Sequence, residues 1–167
     1  YQQNKLSAAK ASLVPVVTNP VVANSEYFAQ CAFALASVYQ ACGQADEAAE
    51  TAEFIVDYLL KVRNMEQLPL AQAFQAELAL RQGRLAEALR WAQHYDPEPF
   101  VPLYRFYAPH LTLAKVLIAE GSQQSREQAA DLLTRLETYL AKIHNTRFLI
   151  EVLALQTLLQ ETQGETP

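Results

Sequence analysis

The side chains able to do chemistry are few and scattered. His94, His110 and His144 stand far apart with no carboxylate at a ligand spacing, so they frame no metal site. The chain has no GxxxxGK, GxGxxG, HExxH or CxxC, and glycines about 40 residues apart cannot form a phosphate cradle. No serine sits at a strand-turn-helix elbow, so nucleophilic catalysis has no framework. Asp46, Glu47 and Glu50, like Glu161 and Glu165, read as solvated helix faces. Cys31 and Cys42 are eleven residues apart, ~16 Å along one helix, which is too far for a disulfide; both read as buried thiols. The densest aromatic stretch, 91 to 107, holds Trp91, Tyr95, Phe100, Tyr104, Phe106 and Tyr107 with His94 and His110 beside it. It reads either as filler around a proline-rich linker or as ring faces for a stacked ligand or a partner. This inventory supports binding rather than catalysis, and no cofactor or metal is expected.

Charge narrows the partners. Thirteen basic against eighteen acidic residues give a net charge of -5, so the segment has no electrostatic footprint for nucleic acid or anionic membranes. No apolar run approaches the ~18 residues a membrane span needs, and YQQNKLSAAK lacks the core and cleavage site of a signal peptide. The expectation is a soluble, cytoplasmic chain. It opens on Tyr1 and its one methionine is Met65, so 1–167 is expected to be a single domain cut from a longer protein.

The elements that must position these residues are marked by glycine, found only at 43, 83, 121 and 164, at spacings of 40, 38 and 43. CGQADEA and QGRLAEA both place alanine five residues after the glycine, at Ala48 and Ala88, and QNKLSAA repeats this with Asn4 and Ala9. Ala36, Ala76 and Ala114 lie seven before a glycine, with Thr157 in the fourth place. Glycine and asparagine readily take the left-handed conformation that ends a helix, and small residues on both sides of such a turn let antiparallel helices approach. The unit is a helical hairpin of roughly 40 residues.

Apolar residues recur at three-and-four spacing throughout, as in Phe28, Cys31, Ala32, Leu35, Val38 and Tyr39, then Ala48, Ala52, Ile55, Val56, Leu59 and Leu60. The pattern predicts eight helices, roughly 5 to 17, 24 to 42, 45 to 63, 67 to 82, 85 to 95, 101 to 120, 124 to 144 and 146 to 163. Pro15, Pro20, Pro69, Pro97, Pro99 and Pro102 belong in linkers or first turns; Pro109 predicts a kink or a fresh start in the sixth helix. GSQQSREQAA delays the alanine by three residues and is expected to form a solvated loop.

The signature QGRLAEA resembles tetratricopeptide repeats, with a longer period. LAQAFQAELALRQGRLAEALRWAQ (70 to 93), LTLAKVLIAEG (111 to 121) and HNTRFLIEVLALQTLLQETQG (144 to 164) together look like the superhelical sensor region of MalT-type regulators, the large ATP-dependent members of the LuxR group. The resemblance implies an all-α, tetratricopeptide-like right-handed superhelix of antiparallel hairpins, about eight helices with a period of about 40. It implies an ATPase module before the superhelix and a DNA-binding helix-turn-helix after it, so DNA would be met through a separate domain. Related superhelices also follow kinase or cyclase modules. Ala108-Pro109 departs from the family pattern and leaves the path of the sixth helix open.

Repeat superhelices present a concave face lined by the first helix of each hairpin. Carrying that frame over by counting back from each glycine places Gln30, Phe33, Ser37 and Gln40 there, then Glu77 and Arg81, then Lys115, then Glu151. The resemblance implies a sensor or interaction module that binds a small effector or a partner protein, with a plain scaffold as the alternative and room for self-association. Glu77 and Lys115 both lie six residues before a glycine, on adjacent first helices, and are expected to pair directly or through Arg81. The stiff DPEPFVP linker is expected to hold Phe100, Tyr104 and Tyr107 against Trp91. A binding site is then expected near Arg81, Tyr104, Tyr107 and Lys115.

Overall fold

Left-handed backbone divides the chain. In the computed structural model, which describes residues 5–19, 25–98 and 107–163, Gly43, Gly83 and Gly121 have φ of 75°, 75° and 77°, and Arg63 and His144 have φ of 55° and 56°. At four of these positions the helix ends in the same way: the left-handed residue and the one after it donate to carbonyls of the last turn. Gln44 N–H reaches Tyr39 O at 2.9 Å, Asn64 N–H reaches Leu59 O at 2.9 Å, Arg84 N–H reaches Ala79 O at 2.8 Å and Asn145 N–H reaches Leu140 O at 2.9 Å. Glycine marks the turns within hairpins. The turns between hairpins use Arg63 and His144, each followed by an asparagine whose side chain accepts from the next helix, Asn64 from Gln67 N–H and Asn145 from Phe148 N–H.

The helices are α1 Leu6–Thr18, α2 Ser25–Ala41, α3 Ala45–Lys61, α4 Leu68–Arg81, α5 Leu85–Ala92, α6 Pro109–Glu120, α7 Gln123–Lys142 and α8 Thr146–Gln163, with no strand among the described residues. Each helix packs on its sequence neighbour, and α2, α4, α6 and α8 also touch in series, forming one layer of first helices. Ala36, Ala48, Ala88, Ala114 and Ala129 are fully buried and Ala76 is nearly so, so the spacing rule marks close approach of helices. Two apolar cores result. One joins Phe28, Phe33, Ile55, Leu59 and Phe74 across α1 to α4; the other joins Leu111, Leu133, Leu136, Leu140 and Val152 across α6 to α8. Each large side chain contributes ~1.5–3 kcal/mol by burial.

Several expectations are corrected. α5 stops at Ala92, and α6 starts afresh at Pro109 after an extended Ala108. Proline lacks the N–H and suits a first turn, so the fresh start expected at Pro109 is the form found, while the expected start at 101 falls on 101–106, which lie outside the described residues. Pro15 lies inside α1 rather than in a linker, on an exposed position one turn before the helix ends, where a lost hydrogen bond matters least. The expected loop at 121 to 130 is helical from Gln123, because the Ser122 hydroxyl caps it by accepting from Ser125 N–H at 3.2 Å. Ala129 therefore takes the place of Ala48 by a longer helix. Cys31 is half-buried and Cys42 is exposed just past α2, so only the absence of a bridge between them holds.

The turns yield a signed test. Nothing stands within 4 Å of a Cβ built on Gly43 or Gly83, so Gly83→Ala should cost ~1 kcal/mol through backbone strain alone. Arg63→Gly and His144→Gly should relieve that strain and stabilise by up to ~1 kcal/mol in urea unfolding. Destabilisation by both glycines would refute this account of the turns.

Candidate functional site

Glu77 is the centre of the polar side chains on the first helices. It sits in an apolar stretch of α4 between Phe74, Ala76, Leu78 and Ala79, and it is only 5% exposed. A carboxylate there needs partners from other elements, and it has them. Lys115 Nζ on α6 donates to Glu77 Oε1 at 3.0 Å, Arg81 one turn on donates to the same oxygen, and the buried Thr112 hydroxyl donates to Oε2 at 3.0 Å. Lys115 also pairs with Glu151 of α8 at 2.6 Å. The result is a chain of alternating charge, Arg81, Glu77, Lys115 and Glu151, across α4, α6 and α8. The contact between Glu77 and Lys115 is as the repeat frame predicts, but Glu77 is buried rather than exposed.

Burial is the largest single influence on Glu77 and by itself raises its pKa. The charges of Lys115 and Arg81, with their hydrogen bonds, together outweigh it and hold the carboxyl at about 2. Tyr107 closes the network from inside. Its hydroxyl donates to Ala73 O at 2.9 Å and lies against Thr112, and its ring packs edge-on to Phe74 at 5.6 Å and near Phe33 at 6.4 Å. Burial and then the Glu77 charge push its phenol well above the ordinary value.

The other expected site residues fall differently. Gln30 bonds to Glu26, and Ser37 donates to Phe33 O at 2.8 Å, so both bond within α2 and neither joins the charge chain. Gln40 accepts from Gln82 at 2.8 Å, tying α2 to the end of α4, and Phe33 is buried core. Tyr104 and Phe100 lie outside the described residues. Tyr107 packs on Phe33 and Phe74, not on Trp91 as expected; Trp91 stacks on Tyr95 at 4.8 Å, and Tyr95 meets the edge of His110 at 5.9 Å. His110 is buried with Nε2 3.1 Å from Pro97 O, and desolvation lowers its pKa. Thr112 was missed because it hides in LTLAKV. Its place three residues before Lys115, on the same helix face, was the available signal.

Two open clefts flank Tyr95. One of about 650 Å³ lies between α4 and α5 beside Trp91; another of about 510 Å³ has Leu113, Leu117 and Leu132 in its wall and Glu127, Asp131 and Arg135 around it. Among the described residues no group of three or more His, Cys, Asp or Glu is placed to hold a metal, and no helix is long and apolar enough to cross a membrane.

The eight helices among the described residues, with first helices in one layer, define a tetratricopeptide-like helical-repeat protein. The model of the MalT-like TPR region matches residues 1–167, and the chain belongs to that family. Comparison with curated proteins and with solved structures gives no match.

The depressed carboxyl makes stability depend on acid. Ionised Glu77 stabilises the fold fully above about pH 4.5, its ordinary value, and that contribution is lost as pH falls toward about 2. The loss should be on the order of 3 kcal/mol over this window. Glu77→Gln should lower stability at pH 7 by ~1–3 kcal/mol and flatten the acid limb. An unchanged acid limb in that variant would mean the network does not set it.

Proposed function

We propose that this segment is the sensor and interaction module of a MalT-type signal-transducing regulator, without catalysis of its own, and that the layer of first helices receives a partner protein or an effector near Arg81 and Lys115. In this reading residues 1–167 form one repeat domain of a longer cytoplasmic protein of the LuxR group. Transcription is regulated through a DNA-binding domain elsewhere in that protein.

The observation that carries the reading is the charge chain across three first helices. Arg81 is 56% exposed at the side chain and Lys115 20%, so both can be reached from solvent while compensating a buried carboxylate. A partner carboxylate that engages either cation weakens its hold on Glu77, which is linked through Thr112 and Tyr107 to the packing of α6 on α4. Binding and the arrangement of the array are thereby coupled, as a sensor requires.

The test uses the full-length regulator. Arg81→Glu reverses the most exposed charge of the chain and is expected to weaken the apparent affinity of the activating partner or effector at least tenfold. The readout is stimulated ATP hydrolysis, taken at a temperature where circular dichroism shows the variant fully folded, since losing the Arg81 charge beside Glu77 lowers its melting temperature. Unchanged stimulation in a folded variant would remove this groove as the receiving site.

A further inference from the structure

The two ends of the array expose faces that its interior repeats bury. Counting back from Gly164 and Gly43, Ile150, Leu153, Ala154 and Thr157 of α8 stand where Ala29, Ala32, Phe33 and Ala36 stand in α2. On α2 all four are buried, in a helix that packs on α3. On α8 all four are exposed, Ile150 by 64% and Leu153 by 45%, on the side away from Phe148, Val152 and Leu159, which face the core. The four residues after Gln163 span at most ~14 Å, less than the ~20 Å of helix back to Ile150, so that stretch is too short to cover it.

Helix α1 is the counterpart at the other end. Aligned from Asn4 and Gly43, its Ala9, Leu13 and Val16 stand where Ala48, Ala52 and Ile55 stand in α3. Those three are buried where α3 is held between α2 and α4. Ala9, Leu13 and Val16 are only half-buried, because among the described helices α1 packs chiefly on α2, the first helix that follows it. Lys5, Ala9, Ser12 and Val16 make one stripe along its open side. Thus α8 has an unfilled place for a second helix, and α1 an unfilled place for a first helix.

We propose that a second copy of this chain fills both places, with α1 of one copy lying antiparallel on α8 of the next as α3 lies on α2. Register is the first argument, since each face has the pattern that the other's partner has inside the array. Size is the second. Ile150 and Leu153 are larger than the alanines they replace, and Ala9 and Ser12 leave room for them. Charge is the third. The end of α8 meets the start of α1, which brings exposed Glu161 to exposed Lys5; their counterparts Gln40 and Gln44 flank the turn at Gly43. Repeat arrays stay apart in solution when their end helices present polar outer faces, and α8 presents Ile150, Leu153 and Leu158 instead. Each copy uses α8 toward one neighbour and α1 toward the other, so the contact is heterologous and does not close at a dimer. It involves neither Arg81 nor the clefts beside Tyr95.

The test is the mass of the 167-residue chain in sedimentation equilibrium. A seam of one helix pair is smaller than the ~1,600 Å² of a standard interface, so association should be weak, with the mass rising past that of a dimer across roughly 10–500 µM. Ile150→Glu with Leu153→Glu blocks the α8 face, and Lys5→Glu with Ser12→Glu blocks the α1 face. All four positions are exposed, and circular dichroism checks the fold of each variant. Either variant alone should stay at 18.7 kDa, its self-affinity weakened at least tenfold. Mixed, the two retain one open face of each kind and should form a one-to-one pair that grows no further. A monomeric unaltered chain, assembly by either blocked variant on its own, or no pairing in the mixture would each overturn the proposal. So would a full-length regulator that stays monomeric while the 167-residue chain assembles, since a helix of its own chain would then cover α8.

Discussion

A carboxylate that is 5% exposed has to be matched where it stands, and the arrangement of α4, α6 and α8 depends on how Glu77 is matched. Moving a charge out of water costs several kcal/mol, so an unpartnered Glu77 would oppose the packing that buries it. Its partners come from α4 and α6, and Lys115 carries the network on to α8. Apolar burial supplies the larger stabilisation but tolerates sliding. A hydrogen-bonded carboxylate does not, because its oxygens accept only from donors at the right distance and direction. Helices α4 and α6 are thus fixed in register by Glu77, Lys115 and Thr112.

The position of that network is as telling as its contents. The apolar cores of α1 to α4 and of α6 to α8 lie on either side, and Tyr107, at the entry to α6, packs its ring into the first core while its hydroxyl joins the polar network. The interface between the two halves is therefore partly polar. A polar interface responds to charge brought near it, whereas an apolar one does not. That polar seam coincides with the exposed side chain of Arg81 and the partly exposed one of Lys115.

Much of the fold was legible because helix hairpins leave local marks. Gly43, Gly83 and Gly121 are at turns, and the alanines flanking them are buried. The turns at Arg63 and His144 were harder to see, since neither residue favours left-handed backbone. The pairs Arg63-Asn64 and His144-Asn145, each opening a new helix, were the trace they left. The Glu77 to Lys115 contact was legible because equivalent places in adjacent repeats become neighbours. Burial of Glu77 was not, since it depends on Thr112 and Tyr107 arriving from beyond a break in the repeat. That break opens where α5 stops at Ala92, ahead of the prolines at 97, 99, 102 and 109, and α6 begins at Pro109, whose missing N–H suits a first turn.

Helix α4 shows why a first helix in such an array resists simple pattern reading. LPLAQAFQAELALR has no single polar face, unlike LAEALRWA of α5, because it is contacted on several sides. Phe74 and Leu78 face the first core, Ala73 receives the Tyr107 hydroxyl, Glu77 meets α6, and Gln72 and Gln75 face the cleft. Each environment selects its own residue type, so the polar residues are distributed round the helix instead of gathered on one side. In a helix enclosed on most sides, a polar residue is informative by its register against equivalent positions in the other repeats. Gln72 against Ala32, and Glu77 against Ser37, differ from their counterparts because what covers α4 differs from what covers α2.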